Sequence, residues 1–313
     1  MSARTTSLTR RLAPHALTIA IVLFVVVFSI LQPAYLKVEN IIGIVRQVSL
    51  VGIMGVCMTF VIMTGGIDLS VGPVLALSGL VAYFTLETGL PMPVALAAGL
   101  LSGVVVGLAN GVLIAVFSLP PIIVTLAMLS VVRGSALIMG GPDLHSIRGH
   151  DAYTFIGTGF IFGVPMPICL FLAVALVMIV VQATTPLGIR VAAIGDNERA
   201  AFLSGHRTRL TKLAIYGISS FGAALAGIVQ SAQVHTAAAT YGEFGTELDV
   251  IASVVLGGTS LSGGKGSVAR TVLGVIFLGV VNSGMNILNV PINVQLIAKG
   301  VLIAGALAAG EIR

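Results

Sequence analysis

Charged side chains are scarce in this sequence. Lysine and arginine number 16, and aspartate and glutamate 11, among 313 residues, so 9% of the chain is charged. Soluble globular chains carry about 25%. Hydrophobic residues make up 57% of the chain, and the mean hydropathy is +1.10. A soluble domain could not cover its surface with so few polar groups. The composition therefore predicts an all-α, polytopic membrane protein.

The features of an enzyme are also missing. No polar stretch is long enough for a soluble catalytic domain, and Cys57 and Cys169 lie inside apolar runs, where neither a disulfide nor a metal site is expected. Lys265 lies in a glycine-rich loop but is followed by Gly266, where the nucleotide-binding P-loop requires Ser or Thr, so the loop does not match that motif. We predict no catalytic residue, no cofactor site and no metal site. The basic residues lie in short loops, which does not favour a nucleic-acid partner.

One group of histidines and aspartates could bind a metal ion. His145 and His150 share a polar stretch with Asp143 and Asp151. A solvated loop is the preferred interpretation, because nothing in the spacing matches a metal-binding motif.

Long apolar runs fill most of the chain, and we predict a single transmembrane domain, 1–313. A spanning helix needs about 20 mostly apolar residues. Ten runs are found, at 16–32, 42–63, 69–86, 92–117, 121–140, 165–183, 212–233, 247–257, 268–287 and 292–309. The eighth is short, which suggests a broken or re-entrant segment. We predict about ten transmembrane helices, surrounded by lipid.

The basic residues predict the orientation of these spans. Cytoplasmic loops carry an excess of lysine and arginine. With the N-terminus inside, most basic residues become cytoplasmic: Arg4, Arg10, Arg11, Arg190, Arg199, Arg207, Arg209, Lys212, Lys265, Arg270 and Arg313. Only Lys37 and Arg148 are then clearly outside, while Arg46, Arg133 and Lys299 lie near or within spans. Both termini are therefore expected in the cytoplasm.

A polar interruption, Thr64 to Pro73, separates the second and third runs. Gly65 and Gly66 permit a chain reversal, and Asp68 or Ser70 could cap the following helix. One interpretation is a capped turn at the membrane surface. The other is a helix break that faces the solute route, because irregular backbone inside a membrane is tolerated only against protein or water.

The basic loop 184–211 contains a second informative segment. Asp196 or Asn197 could cap a two-turn helix that Gly205 ends. So short a helix needs a partner, which is either the lipid surface or a cytoplasmic protein. We favour docking of a cytoplasmic protein, through Asn197, Glu198, Arg199, Ala200, Ala201, Phe202, Leu203, Ser204 and Gly205.

Other polar groups fall inside or beside apolar runs. Thr246 and Asp249 have capping-box spacing before the eighth run. The pattern Gly-Gly-x-x-Leu-Ser occurs at 65–70 and at 257–262, as an internal duplication would produce. Arg133 either faces protein or extends to the interface. We predict a translocation pathway for a hydroxyl-rich solute from a set of polar residues: Asp68, Ser70, Asn110, Thr125, Asn282 and Asn286. Hydrogen bonding between helices is the alternative role for these residues.

The chain resembles the permease subunits of bacterial ABC importers for monosaccharides, of the ribose, xylose and autoinducer-2 type. The resemblance lies in the segment Gly65-Gly66-Ile67-Asp68-Leu69-Ser70-Val71-Gly72, in Ile123-Val124-Thr125-Leu126 followed by Arg133-Gly134, in Gly195 to Gly205, and in Glu247-Leu248-Asp249 through Gly264. His206 and Asp196 depart from the usual pattern, where an aliphatic residue and glycine are common.

The resemblance implies a multi-pass protein of the bacterial inner membrane, together with partners and a mechanism. Two permease chains, identical or paired, would form the pathway, a cytoplasmic ABC ATPase would bind the helix around 197–204, and a periplasmic sugar-binding protein would deliver the solute. ATP hydrolysis would belong to the ATPase partner, so the chain itself is expected to be no enzyme. ATP-driven closure of the ATPase would switch the spans between outward- and inward-facing states.

Three alternatives remain open from the sequence. A related permease for branched-chain amino acids or nucleosides would share this organisation. A secondary carrier would need a titratable group within the membrane, for which Asp68 is the candidate. A channel would need no ATPase and would leave the 184–211 segment without a role.

Overall fold

A computed structural model describes residues 15–243 and 245–311. Twelve α-helices make up most of this part of the chain. They are α1 Ala16–Leu31, α2 Val38–Met63, α3 Val71–Glu87, α4 Met92–Ala115, α5 Pro121–Gly140, α6 Asp151–Thr158, α7 Met166–Thr184, α8 Pro186–Leu203, α9 Thr208–Val234, α10 Thr246–Leu256, α11 Val268–Ile287 and α12 Ile292–Glu311. A 3-10 helix, Pro33–Leu36, joins α1 to α2. The basic residues Arg4, Arg10, Arg11 and Arg313 lie outside the described residues.

Each of the ten apolar runs coincides with one helix, which confirms the all-α prediction. Within the described residues, six helices are long and apolar enough to cross a membrane, namely α2, α4, α5, α7, α9 and α11. Three shorter apolar helices are α1, α3 and Ile292–Leu302 of α12. Helix α10 has only 11 residues, about 16 Å of helix, and so does not span a membrane alone. The total of ten crossings stays a prediction.

Helices α2 and α9 form the centre of the molecule, and α4 packs on α9 through glycines. A Cβ atom on Gly103 would meet the Ala224 side chain and the Ser220 carbonyl oxygen, and one on Gly111 would lie 2.8 Å from the Leu213 Cα. Gly99 and Gly107 continue the same stripe at four-residue spacing. Small residues at this spacing let helix backbones approach closely, which is how membrane helices associate without a hydrophobic driving force.

Connecting segments that are predicted on the same side of the membrane contact one another, as spans that alternate in direction require. Strand β1, His145–Ser146, pairs antiparallel with β4, Thr236–Ala237, so two loops that were both predicted to be periplasmic meet. The hairpin of β2, Phe160–Ile161, and β3, Val164–Pro165, lies in the first of these loops. Segments predicted to be cytoplasmic also meet, at the glycine junction described below.

The structure corrects three local predictions. The stretch 141–164 contains helix α6, and the 184–211 segment is helical from Pro186, because the Thr185 hydroxyl accepts a hydrogen bond from Leu187 N at 3.3 Å and proline fits the first turn. The predicted capping box of Thr246 and Asp249 is not formed. Gly245 is the N-cap of α10 without a side-chain cap, Thr246 donates to the Glu243 carbonyl, and the Asp249 carboxylate binds Lys299 instead.

Candidate functional site

Four predicted residues meet in what we term the buried polar cluster. Asp68 Oδ1 accepts hydrogen bonds from Ser70 N at 3.0 Å and Ser70 Oγ at 2.6 Å. Asp68 Oδ2 accepts one from Ser219 Oγ of α9 at 2.9 Å. Asn110 of α4 donates to Ser70 Oγ at 3.0 Å, and Thr125 of α5 donates to the Ile67 carbonyl at 3.0 Å. The turn between α2 and α3 is thereby tied to three other helices.

The cluster is closed to solvent and to lipid. Asp68, Ser70, Asn110 and Thr125 are all fully buried. Asp68 and Ser70 of the 64–73 segment are therefore enclosed by protein, whereas Gly65 is exposed, and a helix break that faces the solute route stays a prediction. Because the side chains of this cluster bond to one another and to backbone, their geometry favours the interhelical role, and their contact with solute stays a prediction.

Asn282 and Asn286 lie elsewhere, on α11. Asn286 is exposed and accepts a hydrogen bond from Gln295 of α12 at 2.9 Å. Asn282 is 4% exposed, and its Oδ1 has no partner among the described residues. It lines a cleft together with Gln47 of α2 and Asp249 of α10. The six predicted pathway residues therefore fall into two separate regions.

The predicted docking segment forms the end of α8. The backbone of Asn197 leaves the helical region, with φ −162° and ψ 103°, and its Oδ1 accepts from Ala200 N at 2.9 Å. Asn197 is thus the N-cap of a short helix, as the sequence predicted, and Gly205 ends it with φ +85°. Phe202 and Leu203 are 62% and 76% exposed. The Glu198 carboxylate anchors the helix to Lys212 of α9 at 2.6 Å.

The kink in α8 rests on glycine backbone, at what we term the inner glycine junction. Gly264 N donates to the Met63 carbonyl at 2.9 Å. A Cβ on Gly195 would overlap that carbonyl oxygen and the Gly264 nitrogen, and a Cβ on Gly263 would lie 2.9 Å from Gly195 O and 3.0 Å from Gly65 N. The Gly65-Gly66 turn and the Gly263-Gly264 pair, which directly follows the second copy of the sequence echo, are therefore joined here to α8, beside the end of α2.

Arg133 of α5 holds a loop of irregular backbone in place. Its guanidinium donates to the carbonyl oxygens of Ala239, Tyr241 and Gly242, the last two at 2.7 and 3.1 Å. The same loop reaches the first turn of α3, where a Cβ on Gly72 would lie 2.6 Å from Gly242 O. Arg133 therefore faces protein, and residues 236–243 with α10 form a broken segment in place of the short eighth span.

Replacing Arg133 with methionine is expected to loosen this loop. The backbone carbonyls of Ala239, Tyr241 and Gly242 would lose a charged donor, and each such hydrogen bond contributes about 1.5–3 kcal/mol. We expect backbone amides in 236–243 to exchange hydrogen about tenfold faster or more in the purified protein. Arg133→Lys should be intermediate, because an ammonium lacks the planar fork. Arg209→Met, at an exposed arginine of α9, is the matched control, and equal protection in all three variants would refute the assignment.

Sequence reasoning missed two of these site residues. Ser219 carries no signal, because a serine inside an apolar run usually bonds its own helix. Asp249 was predicted to belong to a capping box. The signal that could have identified its role is an acid inside one apolar run with a base, Lys299, inside a later run, which is typical of an ion pair. Their side chains are 2.8 Å apart and about 15% exposed. Asp249 is thus a second acid, besides Asp68, within the predicted membrane region.

Comparison with known proteins identifies the family. Residues 40–307 match the family described as branched-chain amino acid transport system / permease component. The ribose import permease protein RbsC of Bacillus subtilis is 39% identical over 282 residues, covering 90% of this chain and 87% of the relative. RbsC of Escherichia coli K12 is 38% identical, covering 91% and 89%. The D-allose transport system permease protein AlsC of Escherichia coli K12 is 37% identical, covering 91% and 88%.

No solved structure matches the chain. The family match covers most of the sequence, and the relatives match nearly end to end. Their names describe permeases, in agreement with the helices and the closed polar cluster found here. The chain belongs to this family of transport permease components, as a multi-pass protein of the inner membrane.

Proposed function

We propose that the chain is the permease subunit of an ATP-driven importer that carries a monosaccharide into the cell. Sugar import is named in the relatives that match about 90% of the chain, which supports a sugar over a branched-chain amino acid. Five of the six predicted pathway residues are neutral, and the sixth, Asp68, is fully buried among hydroxyl groups, which suits a hydroxyl-rich, uncharged solute.

The observation that carries the proposal is the exposed end of α8. A capped helix with Phe202 and Leu203 turned outward presents apolar surface that an aqueous loop does not need. Because no P-loop occurs in the sequence, ATP hydrolysis in such an importer falls to a partner. We propose that an ABC ATPase binds this helix, that a periplasmic binding protein delivers the sugar, and that two permease chains complete the pathway.

Replacing Phe202 and Leu203 together with alanine is expected to release the ATPase. Both side chains are exposed, so the fold loses little, while a docking surface loses its apolar anchors. We expect the amount of ATPase that co-purifies with the chain to fall about tenfold. Phe162→Ala, at an exposed position on the β2–β3 hairpin, is the matched control. Full recovery of the ATPase with the double variant would refute the docking role.

Purification from the native host tests the proposal as a whole. The tagged chain is isolated in mild detergent, its companions are identified, and ATP hydrolysis is measured with binding protein loaded with D-ribose, D-allose or L-arabinose. A stoichiometric ATPase whose hydrolysis rises with one loaded sugar supports the importer. A chain that purifies alone and moves solute without ATP would be a carrier or a channel.

A further inference from the structure

The loop between α5 and α7, which is predicted to be periplasmic, has a polar half and an apolar half. The first half contains Asp143, Arg148 and Asp151. After Asp151 the sequence has no charged residue until Arg190, and the second half of the loop includes the β2–β3 hairpin. The exposed side chains of this hairpin are all apolar: Phe160, Ile161, Phe162 and Val164. A contiguous apolar surface of this kind marks a contact with a partner or with lipid.

The turn of the hairpin contains a residue that turn chemistry does not favour. The strand register pairs Ile161 with Val164, which leaves Phe162 and Gly163 as a two-residue turn. Both residues have positive φ, +49° and +79°, and such turns favour asparagine or aspartate before the glycine. Phenylalanine is strained in this region, and the Phe162 side chain is fully exposed within the described part of the chain. We therefore expect the contact that offsets this strain to lie outside the described residues.

Helix α7 places the hairpin at the outer boundary of the membrane. The helix begins at Met166, whose N–H donates to the Gly159 carbonyl at the base of the hairpin at 2.8 Å. Its 19 residues rise about 28 Å, and the hydrocarbon core of a bilayer is about 30 Å thick. In the predicted topology α7 ends in the cytoplasm. The hairpin at its other end is then level with the outer limit of the hydrocarbon.

Helix α2 gives the same depth independently. Arg46 of α2 donates to the Thr158 carbonyl at 3.2 Å, and its guanidinium carbon lies 5.6 Å from the centre of the Phe160 ring. From Arg46 to Met63, where α2 ends on the predicted cytoplasmic side, the helix rises about 25 Å. Both helices therefore put the hairpin where acyl chains give way to head groups, and apolar side chains at that depth meet lipid.

We infer that the β2–β3 hairpin is a lipid anchor, with Phe162 at its tip inserted among the acyl chains of the outer leaflet. Exposed apolar side chains continue along α7 at Leu172 and Leu176, so the hairpin extends a surface that faces lipid. The alternative partner of an outer loop is a periplasmic protein. An interface that forms and separates in water has a polar rim, and polar side chains lie in the 141–151 half of the loop.

Tryptophan fluorescence tests the anchor, because the sequence contains no tryptophan. The full chain carrying Phe162→Trp is placed in nanodiscs of phosphatidylethanolamine and phosphatidylglycerol, and is quenched by iodide in the water or by lipid brominated on its acyl chains. The matched controls are Asp143→Trp, exposed in the polar half of the loop, and Leu176→Trp, exposed on α7. We expect brominated lipid to quench Phe162→Trp about as strongly as Leu176→Trp, and iodide to quench it about fivefold less than Asp143→Trp.

Strong quenching of Phe162→Trp by iodide, with none by brominated lipid, would overturn the inference. Protection from iodide by added periplasmic binding protein would then assign the hairpin to protein docking. If Phe162→Trp accumulates poorly, Val164→Trp on the neighbouring strand carries the same test, because Val164 is also exposed. The readout does not depend on the transported solute, so a lipid anchor that fails this test leaves the proposed function in place.

Discussion

Gly195→Ala is expected to abolish solute uptake while the ATPase stays bound. The new methyl group would overlap the Met63 carbonyl oxygen and the Gly264 nitrogen. These are backbone atoms at the end of α2 and in a tight glycine loop, so they cannot move aside as a flexible side chain could. The kink of α8 would lift off the inner glycine junction, whereas Phe202 and Leu203 would keep their exposed positions.

The physical reason for so large an effect is the place of the junction in the chain. Met63 ends α2, and Asp68, five residues later, is tied to α9 and α4 through Ser219 and Ser70. A push on the end of α8 therefore reaches the centre of the bundle through direct backbone contact. Interfaces as closely packed as this one transmit displacement because they cannot be compressed.

The measurement is uptake per ATP hydrolysed by the reconstituted importer, together with the yield of co-purified ATPase. We expect hydrolysis to continue and uptake to fall about tenfold or more in Gly195→Ala. Gly217→Ala is the matched control, because its Cβ would make an ordinary contact with Leu108 at 3.5 Å. Normal coupling in Gly195→Ala would show that the junction carries no motion.

The positions of the ten helices in apolar runs could be predicted from the sequence, because long apolar runs indicate burial in lipid, whereas α6 and the first part of α8 have no such run. Capping of the docking helix by Asn197 followed equally from local chemistry. The meeting of Gly65, Gly195 and Gly264 could not be predicted, since those glycines lie far apart in the chain and each reads only as a turn. The same limit applies to the site residues. The sequence suggested which polar groups matter, but Asp68 beside an apolar run and Asn282 inside one each appear only as a lone polar residue. Packing then separates the group with hydrogen-bond partners from the group whose oxygen has none among the described residues.

The glycine stripe on α4 shows a different limit. Gly99, Gly103, Gly107 and Gly111 recur every fourth residue, which is a readable signal for close helix packing. The partner helix could not be read in the same way, because the facing residues of α9 are ordinary small side chains such as Ser220 and Ala224. A pattern of this kind predicts that a helix has a tight neighbour, and the fold then determines which one.

Asp68→Ala is expected to destabilise the protein, whereas Asp68→Asn is not. Alanine would leave Ser70 N and the hydroxyls of Ser70 and Ser219 without their acceptor in a fully buried site. Unmade hydrogen bonds of this kind cost about 1–3 kcal/mol each. We expect a clearly lower thermal midpoint and poor accumulation in membranes. Asp143→Ala, at an exposed aspartate of the outer loop, is the control for loss of a carboxylate.

Asparagine keeps one oxygen for Ser70, and its amide can donate to the Ser219 hydroxyl, which rotates to accept. Asp68→Asn should therefore fold and support ATP-driven uptake near the wild-type rate. This variant also separates the importer from a secondary carrier that would use Asp68 to couple solute to protons, since an amide cannot titrate. Loss of uptake in a stable Asp68→Asn protein would favour the carrier. Retained uptake that still requires ATP would assign Asp68 to holding the turn between α2 and α3 against α9.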